Sequence, residues 1–321
     1  MEEMVNMEPI IIAECCQNHN GDREVLKKMI HLAAENGADY VKIQSIRSRE
    51  LTHRPKFDDG IIDESGQVKV IKRPFKTELE RLSKLDLSLD DEAWFVEECW
   101  RAGVAPMTTV FTRDVVHEIK DIGFEAVKIA SYDCASYPLL RDVKKNWKRV
   151  FVSTGATYDH EIEEAATVLS GSDFQFLHCV TIYPTPMADL HLRRISFLRK
   201  FCKNVGYSDH SHVEKTHLWA SKIALALGAS CIERHYTILE KDQTKDGPVS
   251  ITPHLLKELS LFAKKSRYEM MQEISHNYPE WETSLGESNR DMTENELLNR
   301  DYYRGRFASV KDGNPVYNWE E

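Results

Sequence analysis

The chain has 321 residues, 41% apolar and 29% charged, a balance that builds a sizeable core and excludes disordered, collagen-like and low-complexity chains. Forty-two Lys+Arg against 52 Asp+Glu leave a formal charge of −10, so no nucleic-acid partner is expected. No apolar run approaches the roughly 18 residues of a membrane span, and the opening MEEMVNMEPIIIAE is acidic where a secretory signal is basic.

From the N-terminus, short β-type runs alternate with longer helical patterns. The runs are 10–14, 40–44, 104–109, 126–131, 150–154, 174–178, 204–208 and 230–235, each apolar or β-branched and bounded by Gly, Pro, Asn or Asp. Asp22 caps the first expected helix, with Val25, Leu26, Met29, Ile30 and Ala33 on one face and Asn36-Gly37 at its end. Further helices are expected over 88–103, 113–122, 138–145, 160–169, 193–201, 213–227 and 253–274. Eight strand–helix units fit a closed (βα)8 TIM barrel, an α/β fold, better than an open sheet, and no G-x-G-x-x-G turn follows the first strand. On this reading residues 1–275 form the barrel domain and 276–321 a short C-terminal extension, packed on the barrel or on another subunit. The Lys/Arg-rich stretch 45–86 reads as a long loop over the barrel mouth. Seven cysteines without a C-x-x-C point to reduced thiols and a cytoplasmic location; Cys15, Cys134, Cys179 and Cys231 read as packing residues.

Catalytic groups of such barrels sit at the C-terminal ends of the strands. Here those ends supply Glu14, Lys42 with Gln44, Thr109, Lys128 with Ser131, Ser153, His178 then Thr181, Ser208 with His210, and Glu233 with His235. Lys42 and Lys128 lie inside apolar strands, where an ammonium needs an anionic partner. That partner is either a barrel carboxylate such as Glu14 or Glu233, or the phosphate or carboxylate of a ligand framed by the nearby hydroxyls. His210 and His235, on adjacent strand ends facing Glu14, pair as ligands for a divalent ion such as Mn, Fe or Zn.

The segments AECCQNHNGD (13–22), ADYVKIQS (38–45), VKIAS (127–131), STG (153–155), HCVTIYPTP (178–186), GYSDH (206–210) and IERHYT (232–237) resemble the sialic acid synthase family. These enzymes condense phosphoenolpyruvate with the open-chain aldehyde of an N-acyl hexosamine or related aldose. The resemblance spans roughly residues 8–270. It implies a metal-dependent barrel using Mn or Mg, and a homodimer. By position it assigns Lys42, Thr109, Lys128, Ser131, Ser153 and Ser208 to phosphoenolpyruvate, with Thr181 standing where the family has an amide. His210 and His235 match the metal ligands, and His235 is also counted as catalytic. Glu14, Gln44, Asp133 and Tyr183 fall near the reacting carbons or the sugar. In place of the family's G-P-D the chain has Gly247-Pro248-Val249, with Asp246 or Ser250 as replacements for the lost carboxylate. The family's C-terminal antifreeze-like domain is not expected here: NRDYYRGRFASV resembles its entrance, and Arg304 and Arg306 stand in for its sugar-site arginine. Three other readings stay open at this level. They are a class-I aldolase with Lys42 or Lys128 as Schiff base, a 3-deoxy-ulosonate synthase on another aldose, and a non-catalytic binding subunit.

Overall fold

The computed structural model describes residues 8–321. Its eight runs close into an all-parallel barrel in which each strand pairs with its chain neighbours and the first pairs with the last. The strands are Ile10–Cys16, Tyr40–Ser45, Ala105–Val110, Ala126–Ile129, Arg149–Ser153, Asp173–His178, Val205–Asp209 and Cys231–His235. The fourth stops at Ile129, two residues earlier than expected, and Ser131–Asp133 is a 3-10 turn.

Side chains two apart on a strand share a face, and that period sets the interior. Ile12, Tyr40, Met107, Ala126, Phe151, Leu177 and Cys231 fill the lower barrel. One step of two further on come Glu14, Lys42, Thr109, Lys128, Ser153 and Glu233, so the polar layer sits directly above the apolar plug. The alternate residues, among them Ile11, Val41, Ile43, Val127, Val150 and Ile232, face outward and pack with the surrounding helices.

Three expectations about the surroundings are corrected. The stretch 45–86 is a folded insertion, not a bare loop. It holds the short helix Lys56–Asp59, a hairpin of Ile61–Ile62 with Val68–Val70, and the helix Phe75–Ser83. Phe75, Leu79 and Leu82, at helical spacing within a polar sequence, pack with Ile46, Leu51 and Phe307. The helix expected over 213–227 breaks at His217, whose φ of 51° no helix accommodates, into Val213–Thr216 and Trp219–Ala226. The helix expected over 253–274 breaks at Ser266, which forms a capping box with Glu269 and starts Arg267–Asn277 anew.

The C-terminal residues fold back on their own barrel. Helix Glu294–Tyr303 and the hairpin of Ser309–Lys311 with Asn314–Val316 dock against the insertion and the mouth. Thr52 donates to the Gly305 carbonyl at 2.7 Å, Asn299 to the Thr181 carbonyl at 2.8 Å, and Asn318 to the Phe111 carbonyl at 2.7 Å. Among the described residues no helix is long and apolar enough to cross a membrane.

Candidate active site at the barrel mouth

The two lysines meet one carboxylate. Glu233 lies 3.4 Å from the Lys42 Nζ and 3.7 Å from that of Lys128, so the two ammonium groups share one carboxylate. Lys42 also contacts Glu14 and donates to Thr109 Oγ1 at 2.8 Å. Lys128 donates to the Ile129 carbonyl at 3.2 Å, and Ser208 donates to Glu233 Oε1 at 2.7 Å. Burial is the main force drawing the Lys42 pKa down to about 8; Lys128 adds to the fall and Glu233 opposes it. Burial alone would raise Glu233, but Lys128 and Lys42 outweigh it and hold that carboxyl well below its usual range. The barrel-carboxylate pairing weighed for these lysines is therefore realised, by Glu14 and Glu233 together.

Hydroxyls ring this chamber. Ser131 donates to the Cys179 sulfur at 3.4 Å, while Ser153 Oγ and Thr181 Oγ1 are buried without a hydrogen-bond partner among the described residues. Buried polar atoms without partners are rare in native folds and mark places where a ligand would bond. Gly155 keeps the ring tight. A Cβ there would lie 2.7 Å from Thr181 Cγ2 and 3.0 Å from Ser131 Oγ. Gln44 sits at the rim, its amide 3.5 Å from Glu14 Oε1.

On the seventh and eighth strands the two imidazoles are neighbours, with ring centroids 5.5 Å apart. Burial lowers both pKa values, that of His210 to about 3, so both rings are neutral at pH 7, the form that binds metal. His210 Nδ1 bonds the Val180 carbonyl at 3.0 Å and Nε2 bonds the Tyr183 hydroxyl at 2.9 Å. The Tyr183 ring also stacks on His210 at 4.0 Å. His235 Nδ1 has no hydrogen-bond partner and stands 3.8 Å from Asp246 Oδ2. Neutral nitrogen donors beside a carboxylate fit a divalent cation.

The pairing behind the two histidines was not expected from the sequence, where Asp209 stood only as a strand-end residue and Arg234 was not singled out. Asp209 and Arg234 form a fully buried pair at 2.5 Å behind the two histidines, Asp209 also taking the Ser211 N–H at 2.8 Å and the Ser221 hydroxyl at 2.5 Å. Their signal was present in S-D-H and E-R-H, where the residue next to each inward side chain points outward into the helix layer. Asp133 does sit at the mouth, held by Ser136 and by Asn318 of the extension, each at 2.9 Å. Burial raises its pKa, against those two hydrogen bonds. Neither arginine proposed as a sugar ligand points free: Arg304 pairs with Glu161 at 3.5 Å and Arg306 with Glu78 at 2.5 Å. Beside Asp246 a cavity of about 440 Å³ opens, walled by Gln17, Asn18, Asn20, Thr77, Arg81 and Lys245 among others. Its floor is the NHNG turn. Gly21 there (φ 76°) would place a Cβ 2.3 Å from the Lys84 carbonyl, so the insertion docks only on glycine.

A crystal structure of N-acetylneuraminic acid (sialic acid) synthetase from Leptospira borgpetersenii, in complex with citrate, superposes with a TM-score of 0.70 at 26% identity and covers 92% of each chain. The N,N'-diacetyllegionaminic acid synthase of Campylobacter jejuni is 32% identical over 264 residues, 78% of this chain and 74% of its own. The pseudaminic acid synthase of the same species is 28% identical over 313 residues, 94% and 83% of the two chains. Residues 29–275 match the NeuB family, and the chain belongs to it.

Proposed function

We propose that this chain condenses phosphoenolpyruvate with the aldehyde of an N-acyl hexosamine or related aldose, giving a nonulosonic acid and phosphate. The observation that carries this reading is the pair of buried ammonium groups in one hydroxyl-lined chamber. Lys42 and Lys128 take the charge of the phosphate ester. Thr109, Ser131, Ser153, Thr181 and Ser208 direct its oxygens through hydrogen bonds. The acceptor enters through the cavity beside Asp246, walled by Gln17, Asn18, Asn20 and Lys245, and Gln44 and Tyr183 serve it as the family resemblance implies.

Carbon 3 of phosphoenolpyruvate bonds to the aldehyde carbon, whose oxygen takes a proton. Water adds at carbon 2, and the bond from carbon 2 to the phosphate oxygen then breaks to release phosphate. Glu14 or Asp133 steadies the positive charge on carbon 2 and accepts the proton of the incoming water. A divalent ion, Mn or Mg, would be held at His210 and His235 and would supply Lewis-acid polarisation of the aldehyde oxygen. Seven buried thiols without a disulfide support a reducing, cytoplasmic setting, and the homodimer is carried over from the family resemblance alone.

The test is phosphate release from phosphoenolpyruvate with Mn, against N-acetylated, non-acetylated and phosphorylated aldoses. Release that requires one of these aldoses is the expected result. Borohydride trapping of a pyruvate adduct on Lys42 or Lys128, with no phosphate released, would overturn it.

A further inference from the structure

In the helix Glu294–Tyr303, Asn299, Arg300 and Tyr303 lie one turn apart on a single face. That face meets the barrel mouth with polar atoms, while Leu297 is left 40% exposed. Each of the three residues reaches a different strand end. Asn299 Nδ2 donates to the Thr181 carbonyl at 2.8 Å, just past the sixth strand. Arg300 forks past the fifth strand, Nη1 donating to the Ala156 carbonyl and Nη2 to Glu161 Oε1, each at 2.5 Å. The Tyr303 ring stacks on that of Tyr132 at 4.9 Å, beside Ser131 at the end of the fourth.

These strand ends carry the hydroxyls of the anion chamber. Ser153 Oγ and Thr181 Oγ1 have no hydrogen-bond partner among the described residues, so nothing of their own fixes them and their placement falls to the backbone. That backbone needs holding. Ala156 sits at φ 48°, a left-handed conformation that residues other than glycine seldom adopt, and its carbonyl is the one that Arg300 grips. Glu161 neutralises the guanidinium, so what Arg300 brings to an anion here is placement rather than charge.

We propose that Asn299 and Arg300 are positioning residues of the phosphoenolpyruvate site. They pin the loops after the sixth and fifth strands so that the Thr181 and Ser153 hydroxyls converge on the phosphate, and they touch no reacting atom. The inference rests on the proposed reaction for the identity of the anion; the pinning does not depend on it.

Hydrogen exchange of the full chain, with calorimetric titration of phosphoenolpyruvate in the absence of acceptor, tests it. In Asn299→Ala the amides of 179–183 should exchange faster than in the wild type. Phosphoenolpyruvate should bind that variant about tenfold more weakly, the worth of one hydrogen bond. Arg300→Lys keeps a charge against Glu161 but loses the fork, so it should loosen 154–158 and leave 179–183 as in the wild type. In turnover assays both variants should raise the Michaelis constant for phosphoenolpyruvate with kcat held within about twofold. Asp301→Asn cuts the exposed pair that the same helix makes with Lys56, and should change none of these readings. Unchanged exchange in Asn299→Ala, faster exchange with unchanged affinity, or an equal loss in Asp301→Asn would overturn the positioning role. Loops that loosen in Asn299→Ala, in a protein whose wild type binds no phosphoenolpyruvate, would keep the pinning and sink the reaction.

Discussion

On the second and fourth strands, Lys42 and Lys128 are buried against Glu14 and Glu233, so two positive and two negative charges already neutralise one another. At the ends of the seventh and eighth strands the two imidazoles are neutral, and among the described residues one of them has a nitrogen without a hydrogen-bond partner. The two halves of one mouth therefore await ligands in different ways. The lysine half must loosen its carboxylates before it can hold an anion, because a buried ammonium cannot serve two full partners at once. In the histidine half His235 Nδ1 is free of hydrogen bonds among the described residues, while a cation on His210 would have to displace the Tyr183 hydroxyl or the Val180 carbonyl.

The largest effect is expected from breaking the metal half. His235→Ala should lower metal-stimulated phosphate release by about a thousandfold or more, since Lewis-acid polarisation carries several kcal/mol. Phosphate-release rates with and without a chelator check it, and full wild-type activity in chelator would remove the metal from the mechanism. Next comes the anion half. Lys42→Met leaves Glu14 and Glu233 with too little positive charge and should destabilise the chain by about 3–5 kcal/mol, read from denaturant unfolding. The same substitution should abolish phosphoenolpyruvate binding.

A pH series sharpens the contrast. Lys42 has its pKa lowered to about 8, so its ammonium is present below that pH and is lost as pH rises through it. Affinity for phosphoenolpyruvate should be flat below pH 8 and fall by up to about tenfold per pH unit above it. The smallest effect concerns the extension. Asn318→Ala removes an amide from the buried Asp133 carboxylate, at a cost of about 1.5–3 kcal/mol in stability. Acting through Asp133, it should lower turnover several-fold and leave the Michaelis constant for phosphoenolpyruvate unchanged; unchanged turnover would remove Asp133 from the chemistry at carbon 2.

Much of this mouth was legible because the β period is short and local. Once Tyr40 and Lys42 are on one strand, their shared inward face follows from spacing alone, and the same holds for Ala126 with Lys128 and Cys231 with His235. The insertion was misread because Phe75, Leu79 and Leu82 are sparse among charges, and their partner Phe307 lies far along the chain. Glu233 was weighed as a lysine partner, but its contact with both lysines depends on barrel closure. Local periodicity reports which way a side chain points; what it meets there is decided by pairing across the whole ring.

The most direct test of the anion half is calorimetric titration of phosphoenolpyruvate at pH 7 into the wild type and into Lys128→Met, with circular dichroism to confirm that both are folded. Saturable binding of one molecule per chain in the wild type, weakened at least tenfold in Lys128→Met, is the predicted result. Equal affinity in the two folded proteins would contradict the assignment of the lysine chamber to phosphoenolpyruvate.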